Sequence, residues 1–259
     1  MLKVITLVDT DGDDSEGVLD LIEEISKATN RQTSVVEADR RSNDRIQVEL
    51  QRKIFDKFGY FYERKRGEFY DGLQAGYVDQ AKVVDRVEFL RASYATLGFP
   101  AEARRTSENR LFRKDRFDKV VGDGSTLPSM FFSYLCYKKL AKMSRKFRNE
   151  PNNRYGVLNY GSALRFGRLA VVFVAHSILN ADVTSLNIHS LVDDSITTVL
   201  SKWLDFEEFA KSQKKNYHRN YFRRIADPAS GKETLETNFD GYYKGVTLSS
   251  DLVDFGFAT

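Results

Sequence analysis

The sequence predicts a mainly α, α+β protein: a bundle-like helical body with a small strand component at the N-terminus. Three observations carry that prediction. Apolar residues recur at helical spacing, as in Ile46, Leu50, Ile54 and Phe58, or Ile188, Val192, Ile196, Val199, Trp203 and Phe206. Stop signals follow several of these stretches: Gly59, then Gly98-Phe99-Pro100, then Glu150-Pro-Asn-Asn153. The opening residues 2–8, by contrast, are β-branched and apolar enough for a buried strand.

Taken in order, that strand leads through an acidic turn, residues 9–16, into a helix over 18–28 with Leu19, Ile22 and Ile25 inward. Acids at a helix start suit the positive end of its dipole. Ser42 or Asn43 is placed to cap the next helix, which ends at Gly59. Tyr60-Phe61-Tyr62 then opens an aromatic, charged strand or hairpin. Val83, Val87, Leu90, Tyr94 and Leu97 predict a helix over 77–97. Residues 101–125 are charged, and 120–125 reads as a loop. That loop is the expected boundary between a domain of residues 1–120 and a helical domain of residues 125–259. A helix over 128–148 follows, with Phe132, Leu135, Leu140, Met143 and Phe147 on its apolar side. Further helices are expected over 163–179 and 188–210, and a short strand over 242–248.

Composition bounds the function classes. The 259 residues can bury a sizeable core, and 41% hydrophobic with 30% charged residues is ordinary for a globular chain. A net charge of +3 is only mildly basic, so local clustering decides the question of a polyanionic partner. One cysteine forms no internal disulfide, which fits a reducing cytosol. The longest apolar run, residues 169–175, is far too short to span a bilayer, and the start lacks the pattern of a cleavable signal. The reading is a cytoplasmic protein with no membrane partner.

Several chemistries lack part of the residue set they need. Asp9, Asp11, Asp13 and Asp20 fall at calcium-loop places, but Asp14 stands where the sharp turn wants Gly and Asp20 where Glu is usual. Three scattered histidines and one cysteine make no zinc site, and no metal or cofactor is expected. His176, His189 and His218 lack an arginine at the spacing helical ribonucleases use. Glu63-x-Lys65, with Asp56 upstream, resembles the end of a nuclease carboxylate–lysine motif. That chemistry needs a second carboxylate on the same metal. Glu63 and Lys65 are the candidate catalytic residues on this reading.

Two basic clusters stand out. Lys138, Lys139, Lys142, Arg145, Lys146 and Arg148 share one helix with Tyr134 and Tyr137. Lys211, Lys214, Lys215, Arg219, Arg223 and Arg224 interleave with Tyr217, Tyr221 and Phe222 at spacings that suit one helix. Cations neutralise phosphates and aromatic faces stack on bases, a mixture suited to single strands or RNA. The plainer alternative is a solvated helix face with tyrosines tucked beneath it.

The order of motifs over residues 24–68 resembles the abortive infection phage resistance (AIPR) family. It runs from a TN-Q motif (Thr29, Asn30, Gln32) through S-ND--Q (Ser42, Asn43, Asp44, Gln47) to a tyrosine-rich RKRGE segment ending at Glu68. The resemblance covers roughly the first hundred residues. Full members are longer, with a nuclease-like region and two further asparagine-containing signatures ahead of the point where this chain starts, so it looks like the C-terminal part of such a protein or a truncated member. The resemblance implies a role in phage defence and points most directly to Asn30 and Gln32. An amide pair reads a base edge or a backbone, or alternatively fixes a turn after a helix. Arg64, Lys65 and Arg66 beside Tyr60 and Tyr62 add phosphate contacts or protect a strand edge.

The leading expectation is a phage-defence protein that binds DNA or RNA through Asn30, Gln32, Arg64, Lys65, Arg66, Lys214, Lys215, Arg219, Arg223 and Arg224. The alternatives are a metal-dependent nuclease, and a structural module docking to a restriction-modification or other defence-system protein. A homodimer is expected if the strand at 2–8 leaves an edge open.

Overall fold

Helix dominates because the long apolar stripes can be buried only against one another. The computed structural model describes residues 39, 41–65, 67–122, 126–226 and 233–258. They fall in one compact unit, Glu37–Thr259. The expected strand at 2–8, the acidic turn, the helix at 18–28, Asn30, Gln32 and Arg66 lie outside the described residues.

A short 3-10 turn, Arg41–Asn43, precedes helix α1 (Arg45–Phe58). The N-cap residue is Asp44, not Ser42 or Asn43; Ser42 spends its hydroxyl on the Asp39 carbonyl at 2.8 Å, and Arg41 holds the Asp44 carboxylate at 2.6 Å. The helix stops at Gly59, whose φ of 68° suits glycine. Its buried face is Gln47, Leu50 and Ile54, so the expected stripe is rotated and Ile46 is exposed. Strand β1 (Phe61–Glu63) follows, then helix α2 (Glu68–Gln74).

The helix expected over 77–97 begins only at Arg86. Residues Val83–Asp85 form strand β2, parallel to β1, and helix α3 spans Arg86–Thr96. Asp85 decides the boundary: its carboxylate accepts the Glu88 N–H at 2.7 Å and its own backbone is extended. Val83 and Val84 are β-branched and pair comfortably on the strand side of that cap.

Short helices α4 (Pro100–Arg105), α5 (Glu108–Leu111) and α6 (Lys114–Gly122) lead to the long helix α7 (Leu127–Phe147). Val120 and Val121, expected in a loop, complete α6, with Val120 buried. After the break at 150–153 come α8 (Val157–Tyr160), a π-helical turn (Ala163–Gly167) and α9 (Arg168–Ser177). Helix α9 is apolar nearly all round, which marks the central helix of a core. It packs on α3 and α7, and those two pack on each other. The core centres on Phe89, Leu90, Phe132, Val171 and Val174. No single helix among the described residues is long and apolar enough to cross a membrane.

The helix expected over 188–210 is two, α10 (Ile188–Ser201) and α11 (Trp203–Ser212), which part at Lys202. The stripe survives the break, and every one of its residues is buried. Helix α12 (Lys214–His218) leads to strands β3 (Phe222–Ala226) and β4 (Glu233–Thr237), an antiparallel pair. Helices α13 (Phe239–Tyr242) and α14 (Leu248–Asp254) close the chain, so the strand expected over 242–248 is helical turn. The β component was expected at the N-terminus; among the described residues most of it is instead the β3–β4 pair near the C-terminus.

Candidate nucleic-acid interface

Helix α7 carries its basic residues past one side of the core, and the fold sorts them. Lys138 pairs with Glu88 at 2.9 Å, and Lys139 pairs with Asp193. Tyr134 is buried, its hydroxyl donating to the Val83 carbonyl at 3.2 Å, so it ties α7 to β2. Tyr137 lies beneath Arg168, 5.1 Å from ring to guanidinium. Two turns on, Arg145 and Arg148 line a cavity of about 330 Å³ together with Lys138, Tyr155, Arg165 and Arg168. Glu88 is its one acidic lining residue.

The opposite wall comes from the turns before α8 and α9. Tyr155 stands in the left-handed region at φ 60°, a conformation a tyrosine adopts only at a cost of order 1–3 kcal/mol. Arg154 and Arg165 both lie 5.3 Å from its ring. The π-helical turn widens the chain just where Arg165 leaves it, and Arg168 follows three residues later. Arg165 also lies 4.7 Å from the Phe166 ring. Arg165 and Arg168 go on to line a second cavity of about 270 Å³, with Arg91, Arg104, Phe166 and Lys244. The two cavities share Arg165 and Arg168 as lining residues, and their arginine-lined surfaces together make up the groove.

Its electrostatics are unbalanced. Arg104 and Lys244 share Asp240, each at 2.6 Å. Burial lowers the Arg104 pKa, Asp240 opposes that fall, and Arg168 adds repulsion. Among the described residues no carboxylate pairs with Arg145, Arg148, Arg165 or Arg168. Guanidiniums beside aromatic rings, in excess over carboxylates, are an arrangement that suits anions carrying planar groups.

The cluster at 211–224 is not one helical face. It runs from the end of α11 through α12 and a turn into β3. Lys211 pairs with Glu208 at 2.6 Å, and Arg224 with Glu233 at 3.4 Å. Lys215 pairs with the fully buried Asp251 at 2.7 Å and with Asp254 at 2.8 Å. Asp251 also accepts from Asn216 at 2.7 Å and Tyr242 at 2.9 Å, so Lys215 completes a polar core. Lys214, Arg219 and Arg223 stay exposed and unpaired among the described residues, while Phe222 is buried.

Arg64 and Glu68 of the RKRGE segment turn inward. Arg64 pairs with Glu68 at 2.7 Å and donates to the Ser42 carbonyl at 3.2 Å. The Gln47 carbonyl accepts the Tyr62 hydroxyl at 2.8 Å in the core. Residues of S-ND--Q and of the tyrosine-rich segment thus hold each other in place. Glu63 bends back onto the Gly67 N–H at 2.8 Å, burial raises its pKa, and Asp56 sits on the exposed side of α1. Lys65 is exposed, and no group of three or more His, Cys, Asp or Glu placed to hold a metal ion occurs among the described residues. His176 meets Ser129 of α7 at 2.5 Å, and burial lowers its pKa.

Arg165 and Arg168 escape sequence reading because each sits alone in an apolar helix. Only their i, i+3 spacing hints that they share a face.

A family model described as AIPR protein matches residues 1–229. No curated protein and no solved structure matches the chain.

Proposed function

We propose, since this chain belongs to the AIPR (abortive infection phage resistance) family and hence to phage defence, that its part in that defence is to bind single-stranded nucleic acid in the arginine groove. One observation carries the reading: Arg145, Arg148, Arg165 and Arg168 line one cavity, Arg165 and Arg168 against tyrosine rings, with no carboxylate partner among the described residues. Phosphates supply the missing charge, and bases stack where the rings are. Lys214, Arg219 and Arg223, exposed and without a carboxylate partner among the described residues, offer a second set of phosphate contacts, whereas Arg224 faces Glu233. Asn30, Gln32, Lys65 and Arg66 remain candidates for further contacts, whereas Arg64 and Lys215 are occupied in the fold. Catalysis through Glu63 and Lys65 has less support, because Glu63 caps its own loop.

Fluorescence anisotropy with labelled 20-mers of single-stranded RNA and DNA tests this. Replacing Arg145, Arg148, Arg165 and Arg168 with Gln is expected to weaken binding at least tenfold at low salt. Unchanged affinity in that variant rejects the groove. Replacing Lys214, Arg219 and Arg223 is expected to cost less.

A second reading, docking to a defence-system protein or to a second copy, rests on the β3–β4 pair. Every residue of β4 is exposed, and Ile225 and Leu235 stand 45% and 41% open. Such an edge invites another strand. Sedimentation of the parent and Leu235→Lys separates the two: a dimer abolished by the substitution supports docking, and a monomer in both counts against self-association.

A further inference from the structure

Next to the groove, α8, α11 and the chain entering α13 enclose a cavity of about 550 Å³, with Arg165 and Phe166 on its groove side. At its wall is a carboxylate the nucleic-acid reading does not use. Glu207 is 3% exposed. Its Oε1 accepts the Ser162 N–H at 2.9 Å, the Ser162 hydroxyl, and the Tyr243 hydroxyl at 2.9 Å. Trp203 in turn donates to the Tyr243 oxygen at 3.1 Å. Those bonds fix the carboxylate through Oε1. Its Oε2 lies over Gly161, where a Cβ would collide with it, and the Gly161 backbone (φ 55°, ψ −131°) is one glycine tolerates.

Phe166, Phe239, Leu204 and Val157 give it an apolar and aromatic wall, and Lys211, Thr237 and Asn238 line the rest. The rim acids are spoken for, Glu208 by Lys211 at 2.6 Å and Asp240 by Arg104 at 2.6 Å. A pocket with an aromatic wall, a fixed carboxylate and one guanidinium, Arg165, at its groove side matches a planar base carrying an amino group and a phosphate. Carboxylates accept from the exocyclic amine of a base such as cytosine.

Resting on the nucleic-acid reading above, we propose that this cavity receives one amino-bearing nucleobase, with Glu207 as acceptor for its exocyclic amine and Arg165 as the bridge to its phosphate in the groove. The base belongs either to a residue turned out of the bound strand or to a free nucleotide, and the two sources share this chemistry.

CMP and UMP differ at the 4-position, amine against carbonyl, and at N3, acceptor against N–H donor, and make the sharpest probes. Calorimetric titration of the full chain is expected to show CMP bound at least tenfold more tightly than UMP. Glu207→Gln keeps an oxygen for the three donors and offers an N–H₂ in place of Oε2, so it is expected to erase or invert that preference. Leu204→Arg, at a position 41% exposed, fills the cavity from its rim without touching the core and is expected to abolish binding of both. The same comparison with oligo-C and oligo-U assigns the source: a preference kept in the oligomers indicates a strand residue, and one confined to mononucleotides a free nucleotide. Equal or absent binding of CMP and UMP overturns the pocket. If oligomers then still bind through Arg145 and Arg148, the groove reading survives alone. If CMP preference persists while oligomers ignore the groove substitutions, the groove fails and the pocket stands.

Discussion

At the scale of single residues, charge alone does not separate a ligand-binding lysine from a structural one. Lys214 and Lys215 are neighbours in sequence, yet one is exposed and the other meets a carboxylate that is 0% exposed. Although its partial burial acts the other way, the hydrogen bonds to Asp251 and Asp254 raise the Lys215 pKa. Lys215→Gln leaves Asp251 short of its counter-charge and is expected to cost about 1–3 kcal/mol in urea unfolding. Lys214→Gln is expected to change stability by less than about 0.5 kcal/mol, as surface substitutions do. Glu207 makes a pH prediction of the same kind. Burial raises its pKa against the hydrogen bonds from Ser162 and Tyr243 that lower it. A carboxyl raised in the folded state lends stability at low pH that is lost as pH rises through the folded value. Glu207→Gln lacks that titration, so its Tm relative to the parent is expected to rise with pH. The relative gain should vanish below the ordinary glutamate range. A Tm difference independent of pH would show that Glu207 does not titrate in this range.

At the scale of elements, the legible features were those governed by local chemistry. Gly59 ended α1 where a left-handed residue was needed, and the Ile188-to-Phe206 stripe was buried throughout. The break at Lys202 was hidden because both halves keep the same apolar period across it. The start of α3 was misplaced because Val83 fits a helical stripe and a strand equally well. A readable signal was there: Asp85 followed three residues later by Glu88 is a capping pattern. Asp85→Ala removes that cap and is expected to destabilise the protein by about 1 kcal/mol, with a range of roughly 0.5–2. Denaturant unfolding checks it, and Asp85→Asn should recover most of the loss. The groove was half legible. Arg145 and Arg148 lie in an evident basic run, but Arg165 and Arg168 join them only through the packing of α9 on α7, a contact no local pattern encodes.

At the scale of the whole molecule, a net charge of +3 says little about polyanions, because pairing decides which cations are available. Lys138, Lys139, Lys211, Lys215 and Arg224 each face a carboxylate of their own fold. The four groove arginines do not, and their concentration around one cavity focuses the field that the bulk charge conceals. This predicts the salt dependence. Each phosphate neutralised on a single strand contributes roughly 0.7 to the slope of log affinity against log salt, so four engaged arginines give a slope of about −3. Arg148→Gln removes one contact and is expected to flatten the slope by about 0.7 while leaving the circular dichroism spectrum unchanged. Lys139→Gln, whose charge is already matched by Asp193, is expected to leave the slope as it is. If both substitutions flatten the slope equally, the protein attracts nucleic acid through its diffuse field. A slope that responds to Arg148 alone places the phosphates in the groove.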